Sequence, residues 1–295
     1  MRVLILGANG MLGHKVAQRL SRSFEVWLTL RCRNPDLEHT GLFPPERTIE
    51  GVDADDFATV DRAISDVRPA AVVNCIGVIK QSHLAKDPIA SIALNAMFPH
   101  RLAKLCDGLG LRLIHISTDC VFSGRKGHYK EDDPTDAEDL YGRTKALGEL
   151  TRGGSLTLRT SIIGRELRGA FGLVEWFLSS ANKVQGYTEA RFSGLTTLVL
   201  ADVIESVIAE WPLLRGLYQV AASPISKYDL LVLLRNGFGH TVEIEPCDRV
   251  KIDRTLDSTC FREATGFVAP SWKQMVDDLV SDSTTYSHWR TTSCH

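Results

Sequence analysis

Arg2-Val3-Leu4-Ile5-Leu6-Gly7-Ala8-Asn9-Gly10-Met11-Leu12-Gly13 is the stretch whose reading decides the fold. An apolar run of strand length enters glycines at a G-x-x-G-x-x-G spacing, and an amphipathic helical pattern from Met11 to Leu20 follows at once. Backbone N–H groups and the positive end of a helix then face whatever sits on the turn, which suits an anion. Gly7 permits the tight turn, Gly10 lets a phosphate approach, and Gly13 lets helix pack on strand. A strand-to-helix turn that uses glycine only for geometry is the competing reading. The placement after Val-Leu-Ile-Leu favours a dinucleotide's pyrophosphate, held by Gly7, Asn9, Gly10, Met11, Leu12 and Gly13.

Working outward, β-branched runs alternate with amphipathic stretches, the pattern of repeated βαβ units. Strands are expected at Val3 to Leu6, Val26 to Leu30, Thr48 to Val52, Ala71 to Asn74, Leu113 to Ser117 and Leu156 to Arg159. Each is almost wholly apolar, as strands covered on both faces are. Helices are expected at Met11 to Leu20, Phe57 to Val67, Ile89 to Cys106 and Leu140 to Leu150, with Asp55 capping the second. The fold class is therefore α/β, a doubly wound parallel (Rossmann) sheet with a smaller C-terminal α/β substrate lobe. Residues 1–160 and 195–222 form the dinucleotide-binding part, 161–194 and 223–280 the lobe. Residues 281–295 read as a polar, disordered tail.

Of the 295 residues, 44% are hydrophobic and 24% charged, with a formal net charge of −2. Nothing in that balance attracts nucleic acid or a membrane surface, so an anionic ligand needs a local basic site. The N-terminus carries no cationic leader, and no apolar run approaches the roughly 20 residues of a membrane span. A soluble, cytoplasmic protein is expected. The seven cysteines include no C-x-x-C pair, which suits reduced thiols, and the nine histidines include no pair at helical i, i+4 spacing. No metal is expected.

An acidic residue at the end of the second strand would bond the ribose 2′-hydroxyl of NAD. That strand ends instead in Leu30-Arg31-Cys32-Arg33, and two guanidinium groups suit a 2′-phosphate. NADP(H) is expected as the preferred cofactor, with NAD(H) allowed. Asp53 is placed to accept from the adenine amine or to cap the next helix.

Tyr141-Gly142-Arg143-Thr144-Lys145 opens a helix, so phenol and ammonium lie one turn apart on one face. The phenol, ordinarily near pKa 10, needs such a cation to act at neutral pH. The fifth strand ends in Ser117-Thr118-Asp119-Cys120, and catalytic groups gather at such carboxyl ends. Thr118 to bond a substrate oxygen, Tyr141 to protonate it and Lys145 to tune the phenol and hold the ribose make a carbonyl-reduction site.

Gly7-x2-Gly10-x2-Gly13, Ser117 to Gly124, Tyr141-x3-Lys145 and Leu158-Arg159-Thr160-Ser161 stand in the order seen in dTDP-4-dehydrorhamnose reductases, extended short-chain dehydrogenases that the chain resembles, including Asn95 on the fourth helix. The resemblance implies that Thr118, Tyr141 and Lys145 are catalytic and that Val73 to Gly77, with Cys75, Ile76 and Gly77, passes under the cofactor. It also implies hydride transfer to a keto carbon, C4, of a nucleotide-linked deoxysugar such as dTDP-4-dehydrorhamnose or a UDP-linked 4-keto sugar. Cys120 departs from the tyrosine usual at its place, and Gly172 to Leu178 with Arg191-Phe192-Ser193-Gly194 look closer to sugar reductases of surface-polysaccharide synthesis. A nucleotide-sugar 4-epimerase uses the same trio, and a non-catalytic NADP-binding regulatory subunit shares the fold. Candidate substrate contacts are His83, Thr118, Arg165, Arg168, Trp176 and Arg191, each with a structural alternative. A homodimer is allowed.

Overall fold

The computed structural model describes residues 1–32, 40–80 and 83–286. In chain order the strands are β1 (Arg2–Leu6), β2 (Glu25–Leu30), β3 (Thr48–Glu50), β4 (Ala71–Asn74), β5 (Arg112–Thr118), β6 (Leu156–Thr160), β7 (Ile162–Ile163), β8 (Lys183–Tyr187), β9 (Ala190–Phe192), β10 (Leu195–Thr196), β11 (Gly216–Gln219), β12 (Ile225–Ser226), β13 (Glu243–Cys247) and β14 (Ile252–Asp253). The helices are α1 (Gly13–Leu20), α2 (Phe57–Val67), α3 (Phe98–Leu109), α4 (Leu140–Leu147), α5 (Leu173–Ser179), α6 (Thr197–Ala209), α7 (Lys227–Phe238), α8 (Thr259–Thr265) and α9 (Trp272–Val280).

The large sheet has seven strands in the order β11-β6-β5-β4-β1-β2-β3. β1 pairs in parallel with β2 on one side, Val3 opposite Val26, and with β4 on the other, Val3 opposite Ala71. The winding therefore reverses between β1 and β4, the point where open parallel sheets bind ligands. Every residue of β4 and β6 is buried, as expected for strands covered on both faces; β4 is apolar from Ala71 to Val73, and β6 buries Thr157, Arg159 and Thr160 beside Leu156 and Leu158. Leu4, Leu6 and Val72 meet Val60 and Ile64 of α2 and Phe98, Leu102 and Cys106 of α3 in one core. Elsewhere in the first unit, Arg19 of α1 pairs with Asp202 and Glu205 of α6 at 2.7 Å each.

Packing divides the chain into two units. The first holds Met1–Ser117, Asp139–Leu158 and Leu200–Leu217; the second holds Thr118–Glu138, Arg159–Val199 and Tyr218–His295. The placement of Thr118–Glu138 in the second unit differs from the reading by sequence. The cause is direct bonding: the Tyr129 N–H donates to Thr255 O at 2.9 Å and the Asp253 N–H to Gly124 O at 2.7 Å. The second unit is built on β12-β9-β14, a β8–β13 pair and a β7–β10 pair, with Leu230, Leu234, Phe261, Met275 and Leu279 in its core.

Three local expectations are corrected. Asp56, one residue after the expected Asp55, caps α2 through the Ala58 N–H, while Asp53 accepts from the Asp55 N–H. The single helix expected from Ile89 to Cys106 is a short turn at Pro88–Ser91, a π-helical stretch at Ile92–Met97, then α3. Pro99 lacks the N–H that would bond the Asn95 carbonyl four residues back, and the helix widens there. The tail expected from Ser281 is packed as far as Tyr286, which is 5% exposed, donates to Asp282 at 2.9 Å and lies beneath the Arg165 guanidinium at 4.4 Å. Residues 287–295, the rest of that expectation, lie outside the described residues.

Candidate functional site

The glycine turn between β1 and α1 is fixed from several sides. Gly7 takes φ +76°, a conformation that suits glycine, and a Cβ there would stand 3.0 Å from Ile76 and 3.3 Å from Cys75. A Cβ on Gly13 would collide with the Gly7 carbonyl oxygen, whereas Gly10 is exposed and meets only that oxygen at 3.4 Å. The Gly7 N–H donates to the Thr29 hydroxyl at 3.3 Å, which in turn donates to Ile5 O at 3.2 Å. Leu12 stands at the N-cap of α1 without a capping bond, and the first turn has no acidic residue. That end is thus left to an anion approaching over Gly10, beside half-buried Asn9 and Met11. These features fit the pyrophosphate of a dinucleotide.

Arg31 follows β2 and is exposed, on the same side of the winding reversal as the turn; Arg33 lies outside the described residues. Asp53 is half-buried, its backbone N–H held by the Thr59 hydroxyl at 2.9 Å. Beyond β4, Asn74 accepts from the Ile76 N–H at 3.0 Å, which shapes the Cys75-Ile76-Gly77 turn.

α4 starts at Asp139, whose carboxylate caps the Gly142 N–H at 2.9 Å and pairs with Lys80 at 2.7 Å. Tyr141 is half-buried in the first turn. Lys145, one turn on, is 6% exposed and donates from Nζ to Ile116 O of β5 at 2.8 Å. Burial draws its ammonium down to about 8, against the opposing influence of Glu149 and Cys75. Glu149 in turn accepts from the Ser117 hydroxyl at 2.7 Å. Burial pushes the Cys75 thiol up to about 12, so it stays neutral and unreactive. His115 is fully buried, its Nδ1 3.1 Å from the Asn74 amide nitrogen, and burial with the nearby Lys145 charge holds it well below the usual imidazole range.

Asn95, in the π-helical stretch, ties this region together. Its Oδ1 accepts from the Val78 N–H at 2.9 Å, and its Nδ2 donates to Val78 O at 3.3 Å and to the Thr144 hydroxyl at 3.4 Å. The segment after β4 and the helix carrying Tyr141 and Lys145 are thus fastened to one amide. On the helix expected to run to Leu150, the spacing Lys145-x3-Glu149 puts both on one face and could have flagged Glu149, although α4 ends at Leu147; nothing in the sequence flagged the Asn74–His115 contact.

In the second unit, Thr118 ends β5 and caps the 3₁₀ turn Asp119–Val121, its hydroxyl accepting from the Cys120 N–H at 3.1 Å and donating to Asp119 at 3.2 Å. The structure does not leave Arg165 open to a diphosphate: it is ion-paired with Glu175, which is 4% exposed, and covered by Tyr286. Burial on this scale needs a paired charge, and Glu175 supplies it. Trp176 is exposed rather than part of a core, and Arg168 and Arg191 are exposed as well. His83 opens a 3₁₀ turn at His83–Lys86, its side chain outside the described set. Among the described residues no group of three or more His, Cys, Asp or Glu could hold a metal ion, and no helix is long and apolar enough to cross a membrane.

A Streptomyces griseus protein named dTDP-4-dehydrorhamnose reductase is 34% identical over 149 residues, 50% of this chain and 43% of that protein. The Mus musculus protein named methionine adenosyltransferase 2 subunit beta is 34% identical over 148 residues, 50% of this chain and 41% of its own. The matched stretch is thus less than half the length of either relative. The solved structure of a Bacillus anthracis dTDP-4-dehydrorhamnose reductase in complex with NADP superposes with a TM-score of 0.78 over 94% of this chain and 98% of that one, at 20% identity, a likeness of fold. The family described as RmlD substrate binding domain matches residues 1–285, and this chain belongs to it.

Proposed function

We propose that the protein reduces the keto group of a nucleotide-linked deoxysugar, at C4, with NADPH. The observation that carries the reading is Lys145: a buried ammonium, anchored on the Ile116 carbonyl at 2.8 Å and poised near neutrality, one helical turn from Tyr141 in a sheet whose glycine turn fits a dinucleotide. A purely structural lysine gains nothing from such burial, since desolvation costs it stability.

In this reading Gly7, Asn9, Gly10, Met11, Leu12 and Gly13 receive the pyrophosphate, Arg31 and Arg33 the 2′-phosphate, and Asp53 the adenine amine. Cys75, Ile76 and Gly77 support the nicotinamide end, where the reduced cofactor supplies hydride. Lys145 holds the ribose and lends its charge to Tyr141, which delivers a proton to the carbonyl oxygen as it gains negative charge. Thr118 bonds that same oxygen. Among the candidate substrate contacts, His83, Arg168, Trp176 and Arg191 are assigned to the sugar nucleotide, and Arg165 acts through its ion pair with Glu175. NADH is a weaker substitute.

The test follows NADPH oxidation against dTDP-, UDP- and GDP-linked 4-keto-6-deoxy sugars generated in place. Consumption with one member, reduced by on the order of 10²-fold or more in Tyr141→Phe with NADPH affinity kept, supports the reading. The likeness to the methionine adenosyltransferase subunit favours a second reading, an NADP-binding regulatory subunit without turnover. NADPH binding with no consumption across the panel selects it.

A further inference from the structure

Leu6, Asn74 and His115 stand side by side across β1, β4 and β5, in a row that spans the reversal of winding. Asn74 and His115 are both buried, so their polar atoms depend on partners inside the protein. The Ile76 N–H donates to Asn74 Oδ1 at 3.0 Å, which leaves the amide nitrogen facing the imidazole, with Nδ2 3.1 Å from Nδ1. An amide nitrogen only donates, so Nδ1 is the acceptor and the one proton of the neutral ring sits on Nε2. There it has no hydrogen-bond partner among the described residues. Burial holds the ring well below the usual imidazole range, which keeps a second proton out.

A buried N–H without an acceptor is costly. The other tautomer would put the proton on Nδ1, facing the amide nitrogen, and turning the amide over to receive it would take Oδ1 away from the Ile76 N–H. The row therefore tolerates one orphaned donor and keeps the bond that shapes the Cys75-Ile76-Gly77 turn. That turn is also pinned by the Cys75 N–H on Leu6 O at 3.0 Å, and it crowds Gly7, whose Cβ would meet Ile76 at 3.0 Å. Beyond it, the Val78 N–H is held by Asn95 at 2.9 Å. We infer that His115 is a positioning residue for the cofactor: by accepting from Asn74 it locks the amide in the orientation that sets the turn beneath the nicotinamide. The adenine half does not depend on this lock, because the Gly7 N–H has its own anchor on the Thr29 hydroxyl at 3.3 Å. In the sequence His115 is one polar residue within an apolar strand, with no motif of its own.

This inference rests on the reading that the turn lies along the nicotinamide half of NADPH, and its test needs no sugar. Binding of NADPH and of 2′,5′-ADP, which carries only the adenine half, is measured by calorimetry for the wild type, His115→Leu and His115→Asn. Leucine fills the space without an acceptor; asparagine returns an oxygen near the place of Nδ1. The expected result is that His115→Leu weakens NADPH about tenfold, the scale of one buried hydrogen bond, and leaves 2′,5′-ADP unchanged, while His115→Asn restores most of the loss. A part confined to stability would move both ligands alike, or neither, and either outcome overturns the inference. Nitrogen-15 NMR reads the wild type directly: the imidazole signals that vanish in His115→Asn should show the proton on Nε2 alone, down to about pH 5. A proton on Nδ1 overturns the inference and leaves the reductase reading standing. Wild-type protein that binds NADPH no more tightly than 2′,5′-ADP removes the placement of the turn in the proposed function, and the inference with it.

Discussion

Lys145 is a residue whose function and stability pull in opposite directions. In the fold its ammonium titrates at about 8, against an ordinary value of 10.5. Below about 8 the folded state must therefore carry a charge it disfavours; the cost is full there and is relieved as pH rises toward 10.5. Lys145→Met should raise the urea midpoint at pH 7, with the gain shrinking toward pH 10.5, while abolishing turnover. In the native enzyme kcat/KM should fall along an alkaline limb centred near pH 8 as the ammonium is lost. A flat profile to pH 9.5 would separate Lys145 from catalysis. Arg31 offers a test without chemistry: Arg31→Ala should weaken NADPH roughly tenfold or more and NADH little, by titration of nicotinamide fluorescence, because only the former brings a 2′-phosphate to a charge-assisted bond. Equal losses would contradict that role.

At the scale of elements, the decisive joint lies between the π-helical stretch and the end of α4. A Cβ at Gly148 would collide with the Asn95 carbonyl oxygen, the one that Pro99 cannot satisfy from within its own helix. Gly148→Ala should destabilise by about 1–3 kcal/mol, read as a lower Tm, and should depress turnover as α4 shifts beneath Tyr141 and Lys145. Unchanged Tm would mean that the contact relaxes freely. This joint was hidden in the sequence because its two halves are some fifty residues apart, and periodicity carries an apolar stripe straight through a π turn. The strands were legible for the opposite reason: β4, read as Ala71 to Asn74, is buried on both faces and writes that burial as the apolar run Ala71-Val72-Val73 before Asn74. The glycine turn was legible because a Cβ at Gly7 or Gly13 would press on Ile76 or the Gly7 carbonyl oxygen. Thr118, Tyr141 and Lys145 could be named from spacing, yet the burial of Lys145 and its anchor on Ile116 O could not, since both depend on β5.

For the whole molecule, the division into two units explains why boundaries drawn by composition missed Thr118–Glu138: that segment is polar and turn-rich, and its allegiance is set by backbone bonds to residues more than a hundred positions later. The end of the chain repeats the lesson, as one aromatic residue, Tyr286, packs a polar stretch onto Arg165. Truncation after Ser281 should therefore weaken hydrogen-exchange protection around Arg165, Glu175 and Phe238 while β1 to β4 keep theirs; equal protection in both forms would deny Tyr286 a structural part. The interleaving has a further consequence, for birth rather than for catalysis. Because β11 takes its place beside β6 only with Gly216–Gln219, the first unit waits for residues the ribosome delivers long after Thr118–Glu138 and Arg159–Val199 have emerged. Those segments in turn wait for Tyr218 onward. Neither unit can finish while the chain is growing through its first two hundred residues, so a nascent chain stalled there should depend on chaperones, and no cut at a single point will yield a unit that folds alone.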